Sequence, residues 1–214
     1  VNGGRLMQPY LVAEIADTDG QLLYHREPTV RRQVITPETS AVMRTLMEGV
    51  VTEGTGKNGA VAGYRVGGKT GTSQKLDSED PAARIASFAA VAPIEDPKIA
   101  VLICLDEPHS WTTSGGALAG PVAAAVLEQA LPHLGIAPSF TAEEQETLFG
   151  VVPDVTGWRT GAAKQALAAA GFDAALVGEA ERVQSQYPAA GITARKGSAV
   201  SLDTTGGYDP AADV

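Results

Sequence analysis

The chain has 214 residues, 44% of them hydrophobic but only 5% aromatic, with a formal net charge of −9. That length allows one sizeable core or two smaller domains, packed mainly from Val, Ala, Leu and Ile. The acidic balance lacks the basic stripe that nucleic acid or an anionic membrane surface requires, and those partners are disfavoured. Cys104, the single cysteine, stands in an apolar run and reads as a small buried hydrophobe; a disulfide within the chain and a cysteine zinc cluster are ruled out. His25, His109 and His133 lie in separate segments without metal-ligand spacing, so neither a metal nor a cofactor is expected. No run approaches the roughly 20 apolar residues of a membrane span. The start at Val-Asn-Gly-Gly, without an initiator Met, suggests a piece of something longer.

In chain order, Asn2-Gly3-Gly4 is a turn, and Leu11 to Ile15 with Gln21 to Tyr24 flank Asp17-Thr18-Asp19-Gly20 as a β-hairpin. Thr36-Pro37-Glu38 opens a helix, with Thr36 as cap, Pro37 pre-set for the first helical position and Glu38 at the positive end of the dipole. Met43, Leu46, Met47 and Val50 give that helix one apolar face until Gly54-Thr55-Gly56 ends it. A strand over Tyr64 to Ser73 follows, then a polar loop at Gln74 to Arg84. Two further apolar strands, Ile85 to Ala92 and Ile99 to Leu105, are spaced to pair antiparallel.

Gly115-Gly116 then leads to a helix from about Gly120, with Pro121 in its first turn, Val122, Val126 and Ala130 as the packing face, and Pro132 as its stop. Residues 135–150 read as a linker carrying a short helix, because Thr141 and Glu144 have capping-box spacing. Beyond it, Thr160 caps a helix that packs through Ala163, Ala166, Leu167 and Ala170 and stops at Gly171. Ala174 to Val177, Arg182 to Gln186 and Ala199 to Asp203 are strand candidates. The expected class is α+β, divided into 1–134, the linker, 151–206 and a tail 207–214.

The best candidate for chemistry is Gly67-Gly68-Lys69-Thr70-Gly71-Thr72-Ser73. Gly68 and Gly71 let another molecule lie close to the backbone, while Lys69, Thr70 and Thr72 offer a positive charge and short donors, a cradle for an anion or a peptide. Its wording resembles the third motif of penicillin-recognising serine acyl-transferases, in which S-x-x-K, S-x-N and K-T-G meet in one cleft. With Asn2-Gly3-Gly4, the helix ending in Val50-Val51-Thr52-Glu53-Gly54, Ser87-Phe88, Ala92-Pro93 and Gly115-Gly116 before Gly120-Pro121-Val122, the chain to about residue 135 is similar to the C-terminal half of the transpeptidase domain of class B penicillin-binding proteins. Val152-Pro153-Asp154-Val155, Gly157, Gly171-Phe172, Ser185-Gln186, Pro188, Gly191 and Lys196-Gly197-Ser198 resemble one PASTA repeat, a helix on a three-stranded sheet.

The resemblance implies part of a bacterial cell-wall synthase that acts outside the membrane through an anchor elsewhere. A serine supplied upstream would attack a stem peptide ending in D-Ala-D-Ala, form an acyl-enzyme and pass the acyl group to an amine. Lys69 and Thr72 would be the catalytic residues of this chain, the first supplying positive potential and the second a backbone oxyanion donor. Thr70, Gly71 and Thr72 would bind the terminal carboxylate, which β-lactams mimic. No Ser stands three residues before any Lys and no S-x-N occurs, so one wall of a cleft is expected, inactive alone. Two alternatives stay open: a peptidoglycan-binding or structural module acting through the PASTA-like part, and a remnant of a class A β-lactamase or carboxypeptidase. Partners expected are stem peptides and β-lactams, peptidoglycan or a divisome protein at the PASTA-like part, and further copies of the chain.

Overall fold

Chain order builds two units, one running Val1–Ser139 and a second starting at Phe140, in a computed structural model. The structure describes residues 1–206, so the 207–214 tail lies outside it. In the first unit β1 (Arg5–Met7) pairs antiparallel with β4 (Val30–Gln33), and β2 (Glu14–Ala16) with β3 (Leu22–His25). The hairpin is thus shifted by a few residues from its sequence position, and β1–β4 is a pairing that three- and four-residue exposed segments do not announce. Helix α1 (Pro37–Thr52) starts as expected, with the Thr36 side chain accepting from Thr39 N–H.

The centre of this unit is an antiparallel sheet ordered β5 (Gly67–Gln74), β6 (Arg84–Ala92), β7 (Ile99–Asp106). Helix α2 (Gly115–His133) covers one face. Ala119, Ala123, Leu127 and Leu131 are fully buried against Phe88, Ala90 and Ala92, and Val101 and Ile103 pack on that cluster. Three sequence expectations are corrected here. The packing stripe is not Val122, Val126 and Ala130: Val122 is 43% exposed and Val126 41%. The helix begins at Gly115, and Pro121 and Pro132 both lie inside it; burial of the four-residue stripe outweighs the missing N–H groups. Cys104 is exposed, because β7 alternates regularly and Cys104 falls on the side away from α2.

Helix α1 also departs from expectation. Met43 and Leu46 are exposed, and its buried residues are Ser40 and Val51. A bidentate pair, Arg65 to Glu48 at 2.7 Å through both oxygens, ties it to the approach of β5 and holds the Glu48 carboxyl below its usual range.

The second unit begins with α3 (Ala142–Leu148), whose Thr141–Glu144 capping box is reciprocal as its spacing predicts. Strand β8 (Phe149–Val151) leads to α4 (Thr160–Ala169). Arg159, not Thr160, is the N-cap of α4, and no side chain bonds there; Thr160 N–H is taken by the Glu181 carbonyl instead. Gly171 stops the helix at φ +89°, a conformation only glycine adopts without strain. After β9 (Asp173–Gly178), β10 (Ser185–Tyr187) and β11 (Thr193–Arg195), β12 (Ala199–Thr204) lies between β10 and β9. Strand β11 pairs separately with β8. Val152, Val155, Ala163, Leu167, Phe172, Val183, Val200 and Leu202 form the core.

Gln186 stitches this unit together: its Oε1 accepts from Val155 N–H at 2.8 Å, and its Nε2 donates to the Pro153 and Pro188 carbonyls at 3.0 and 3.3 Å. Gln186→Ala strands three half-buried backbone groups and is expected to cost about 2 kcal/mol, read as a lowered urea midpoint. Gln186→Glu, which keeps only the acceptor, should lose much of the same stability.

Candidate active-site strand

Strand β5 carries the cradle because glycines let it lie tight against its neighbours. A Cβ on Gly68 would fall 2.6 Å from the Phe88 ring, and one on Gly71 2.4 Å from Ser87 Oγ. Lys69 and Thr72 are exposed; Thr70 and Gly71 are half-buried. Side chains alternate, so Thr70 and Thr72 share the α2 face with their cross-strand partners Phe88 and Ala86, while Lys69, Gly71 and Ser73 lie on the other.

The ladder decides which backbone groups are free. Lys75 N–H bonds to the Ala83 carbonyl, so Lys75 and Ala83 are a hydrogen-bonded pair, and Ser73, Gly71, Lys69 and Gly67 follow as such pairs along β6. Gly68, Thr70, Thr72 and Gln74 therefore turn their N–H and C=O groups to the open edge of the sheet. Lys69 Nζ curls to that edge and donates to the Thr70 carbonyl at 2.8 Å, with Thr70 Oγ1 at 3.5 Å. Among the described residues Lys69 makes no ion pair.

The hydroxyls are held by residues that the sequence did not single out for this role. Thr70 Oγ1 lies 3.1 Å from Thr55 Oγ1, in the turn after α1. Thr72 Oγ1 accepts from Gly115 N–H at 3.2 Å, at the first turn of α2, and faces the Thr113 carbonyl at 3.5 Å, a long contact that leaves its proton easily redirected. Gly115 and Gly116 permit this approach: a Cβ on the first would sit 2.2 Å from the carbonyls of Gly71 and Ser87, and one on the second 2.2 Å from the Thr55 carbonyl. The signal for these contacts was the Gly-Gly pair itself, 43 residues beyond Thr72.

At the far end of the strand Lys75 Nζ is 3.0 Å from both Asp106 and Glu107, and its pKa is raised by those two carboxylates. Asp106 and Glu107 are thus committed to the end of the sheet. Glu107 adopts φ +47°, an unusual value away from glycine, while its N–H bonds to the Arg84 carbonyl.

Residues 1–128, which include this edge strand and the first turns of α2, match the family model described as penicillin binding protein transpeptidase domain. The chain belongs to that family. Residues 150–206 match the PASTA domain model. Stage V sporulation protein D of Bacillus subtilis is 35% identical over 213 residues, covering 96% of this chain and 33% of that protein. The peptidoglycan D,D-transpeptidase FtsI homolog of Mesostigma viride is 31% identical, covering 64% of this chain and 26% of that protein. Among solved structures, penicillin-binding protein A from M. tuberculosis as a ceftriaxone acyl-enzyme complex matches with TM-score 0.54 and 32% identity, over 61% of this chain and 29% of that one. The D,D-transpeptidase domain of a peptidoglycan glycosyltransferase from Eggerthella lenta matches with TM-score 0.52 and 32% identity, over 63% and 30%. The chain spans a third or less of the length of these relatives. No helix among the described residues is long and apolar enough to cross a membrane.

Away from the strand, both ring nitrogens of His25 face carboxylates: Nδ1 to Glu14 at 3.0 Å and Nε2 to Glu27 at 2.9 Å. The hydrogen bond to Glu27 leads in raising the His25 pKa, and Glu14 adds to it. A folded value above the ordinary one of about 6.5 stabilises the β2–β3 ribbon fully below that pH, and the contribution fades as pH rises through the folded value. His25→Gln is expected to abolish this dependence, followed by NMR of Ile15 and Tyr24 across pH 5–9.

Proposed function

We propose that the chain forms one wall of the active site of a serine-type peptidoglycan D,D-transpeptidase, completed by a nucleophile outside these 214 residues. The observation that carries this reading is the open edge of β5, where Thr72 turns its backbone groups outward beside the Lys69 ammonium, which makes no ion pair among the described residues and donates to the Thr70 carbonyl. An extended stem peptide, or a β-lactam imitating its end, is a natural partner for such an edge. Lys69 supplies positive potential, Thr70, Gly71 and Thr72 hold the carboxylate, and the Thr72 N–H stabilises the oxyanion. The Thr72 hydroxyl can donate to a carboxylate by releasing its long contact to Thr113 while keeping the bond from Gly115.

The second unit adds a PASTA domain whose partner we take to be peptidoglycan or a neighbouring wall-synthesis protein, on the extracytoplasmic face. Domain limits of 1–134 and 151–206 fit this division of labour. Exposed apolar residues on β2, β3, α1 and β7, among them Leu23, Leu46 and Leu102, favour association of the chain with further copies of itself.

The test is acylation by a labelled penicillin, followed by intact mass. A protein joining this chain to upstream residues that contain S-x-x-K should acylate, and Lys69→Ala should slow it by about 100-fold at an unchanged melting temperature. The 214-residue chain should give no adduct. Equal rates for the two longer proteins would remove Lys69 from the site, and a stoichiometric adduct on the chain alone would overturn the reading of a partial site.

A further inference from the structure

Over residues 140–206 the second unit has five cationic side chains, Arg159, Lys164, Arg182, Arg195 and Lys196, against eight acids. Two of the five are set directly opposite one another. Arg159 and Arg182 form an isolated antiparallel bridge, closed by a bond from Thr160 N–H to the Glu181 carbonyl at 2.9 Å and one from Val183 N–H to the Trp158 carbonyl at 3.0 Å. Both bonds run between the flanking residues, so the arginines are a non-hydrogen-bonded pair. That is where side chains approach most closely across an antiparallel ladder, with Cα atoms about 4.5 Å apart. Like charges opposed in this way repel and cost stability.

Among the described residues nothing offsets the repulsion. Both arginines are exposed, and neither makes an ion pair. Glu179 and Glu181 stand beside Arg182 in the sequence without pairing to it. Arg182 is nevertheless held in place, because its Nη1 donates to the Gly157 carbonyl at 2.7 Å. This contact leaves the other guanidinium donors for a ligand. Arg159, the N-cap of α4, makes no capping bond with its side chain. The space beside it is open: Gly157 and Gly161 flank it at two residues on either side, and a Cβ on Gly161 would meet nothing within 4 Å.

We propose that Arg159 and Arg182 together form a binding site for a phosphate monoester. The site lies wholly in the second unit and does not depend on the acyl-transfer reading of β5. A carboxylate has two oxygens and one negative charge, which a single guanidinium fork satisfies, and the second arginine would stay repelled. A phosphate monoester brings three acceptor oxygens and a charge of about −1.5 to −2 near neutral pH. Both forks then find planar, bidentate partners, which lysines in the same places would not supply. Two opposed cations therefore cost the free chain stability and return it when the anion is bound.

Amide NMR of the full chain tests this, titrated at constant ionic strength with inorganic phosphate, with glucose 6-phosphate and with acetate. Inorganic phosphate should give saturable shifts at Arg159, Thr160, Gly161 and Arg182, with a Kd of about 1 mM for two charge-assisted contacts at an exposed site. Acetate should bind at least tenfold more weakly. Glucose 6-phosphate as tight as phosphate would show that the site takes the anion alone, and tighter binding that it also holds the sugar. Arg159→Gln and Arg182→Lys should each weaken phosphate at least fivefold, the second although it keeps the charge. Without anion, Arg159→Gln should melt no lower than the unaltered chain, since it relieves repulsion and breaks no recorded bond. No saturable shift with either phosphate, acetate binding as tightly as phosphate, or unchanged affinity in Arg159→Gln overturns the site. A lower melting temperature for anion-free Arg159→Gln overturns it as well, because the arginine would then already be neutralised within the chain.

Discussion

Gly115→Ala is expected to destabilise the first unit by about 2–3 kcal/mol, although glycine-to-alanine changes inside helices ordinarily gain up to about 1 kcal/mol. The sign reverses because of what the new methyl meets. Its carbon would lie 2.2 Å from two carbonyl oxygens, Gly71 and Ser87, and 2.9 Å from Ser87 N. These are backbone atoms in the middle of a three-stranded sheet, so neither can swing aside as a flexible side chain would. The first turn of α2 must lift off β5 and β6, and in lifting it breaks the bond from Gly115 N–H to Thr72 Oγ1. Gly161→Ala is the matched control, since it also lies in a helix and a Cβ there meets nothing within 4 Å. Urea midpoints monitored through each unit should move in opposite directions, down for Gly115→Ala and up slightly for Gly161→Ala. A neutral Gly115→Ala would mean that α2 does not rest on the sheet this closely.

The elements legible in the sequence were those set by local chemistry. Thr36-Pro37 and the Thr141–Glu144 box act within three residues of themselves, and Gly171 announces its own conformation. Strands β6 and β7 were legible because each is a long apolar run with a clear break between. The phase of α2 was not: Val122 and Val126 repeat at four residues as faithfully as Ala123 and Leu127, and a helix this apolar does not reveal which stripe the sheet will take. Cys104 was misplaced for the related reason that an apolar run can be a strand buried on both faces or on one. Here the half of the chain's core that covers β7 lies on α2 alone, so the alternate residues stay bare.

The site divides the same way. Lys69, Thr70, Gly71 and Thr72 stand together in the sequence and together at one strand edge. What holds them came from 15 and 43 residues away, in Thr55 and Gly115, and no local pattern ties those positions to the strand. The register of β5 against β6 adds the more useful fact, that even-numbered residues aim their backbone outward. A one-residue slip would have turned the Thr72 N–H into a ladder bond and left the neighbouring glycine and serine at the edge instead.

That register makes Thr72→Pro an unusually clean probe in a longer protein that carries the nucleophile. Proline inside a sheet normally breaks a ladder bond, but the Thr72 N–H is not one of them, so the β5–β6 pairing should survive. The change removes the proposed oxyanion donor and the hydroxyl at once. Loss of a single such donor slows acyl transfer by about 10²–10³ in comparable enzymes, and the hydroxyl's loss adds to it by weakening the grip on the carboxylate. Thr72→Val separates the two, since it keeps the N–H and the branched shape but not the bonds to Gly115 and Thr113. Thr72→Ser keeps every donor and should acylate within about threefold of the unaltered protein. The expected order of penicillin acylation rates is Thr and Ser fastest, Val intermediate and Pro slowest, with Val and Pro separated by at least tenfold. If Val and Pro are equally slow, the hydroxyl and its anchorage to α2 account for the whole effect, and the Thr72 N–H is not the oxyanion donor.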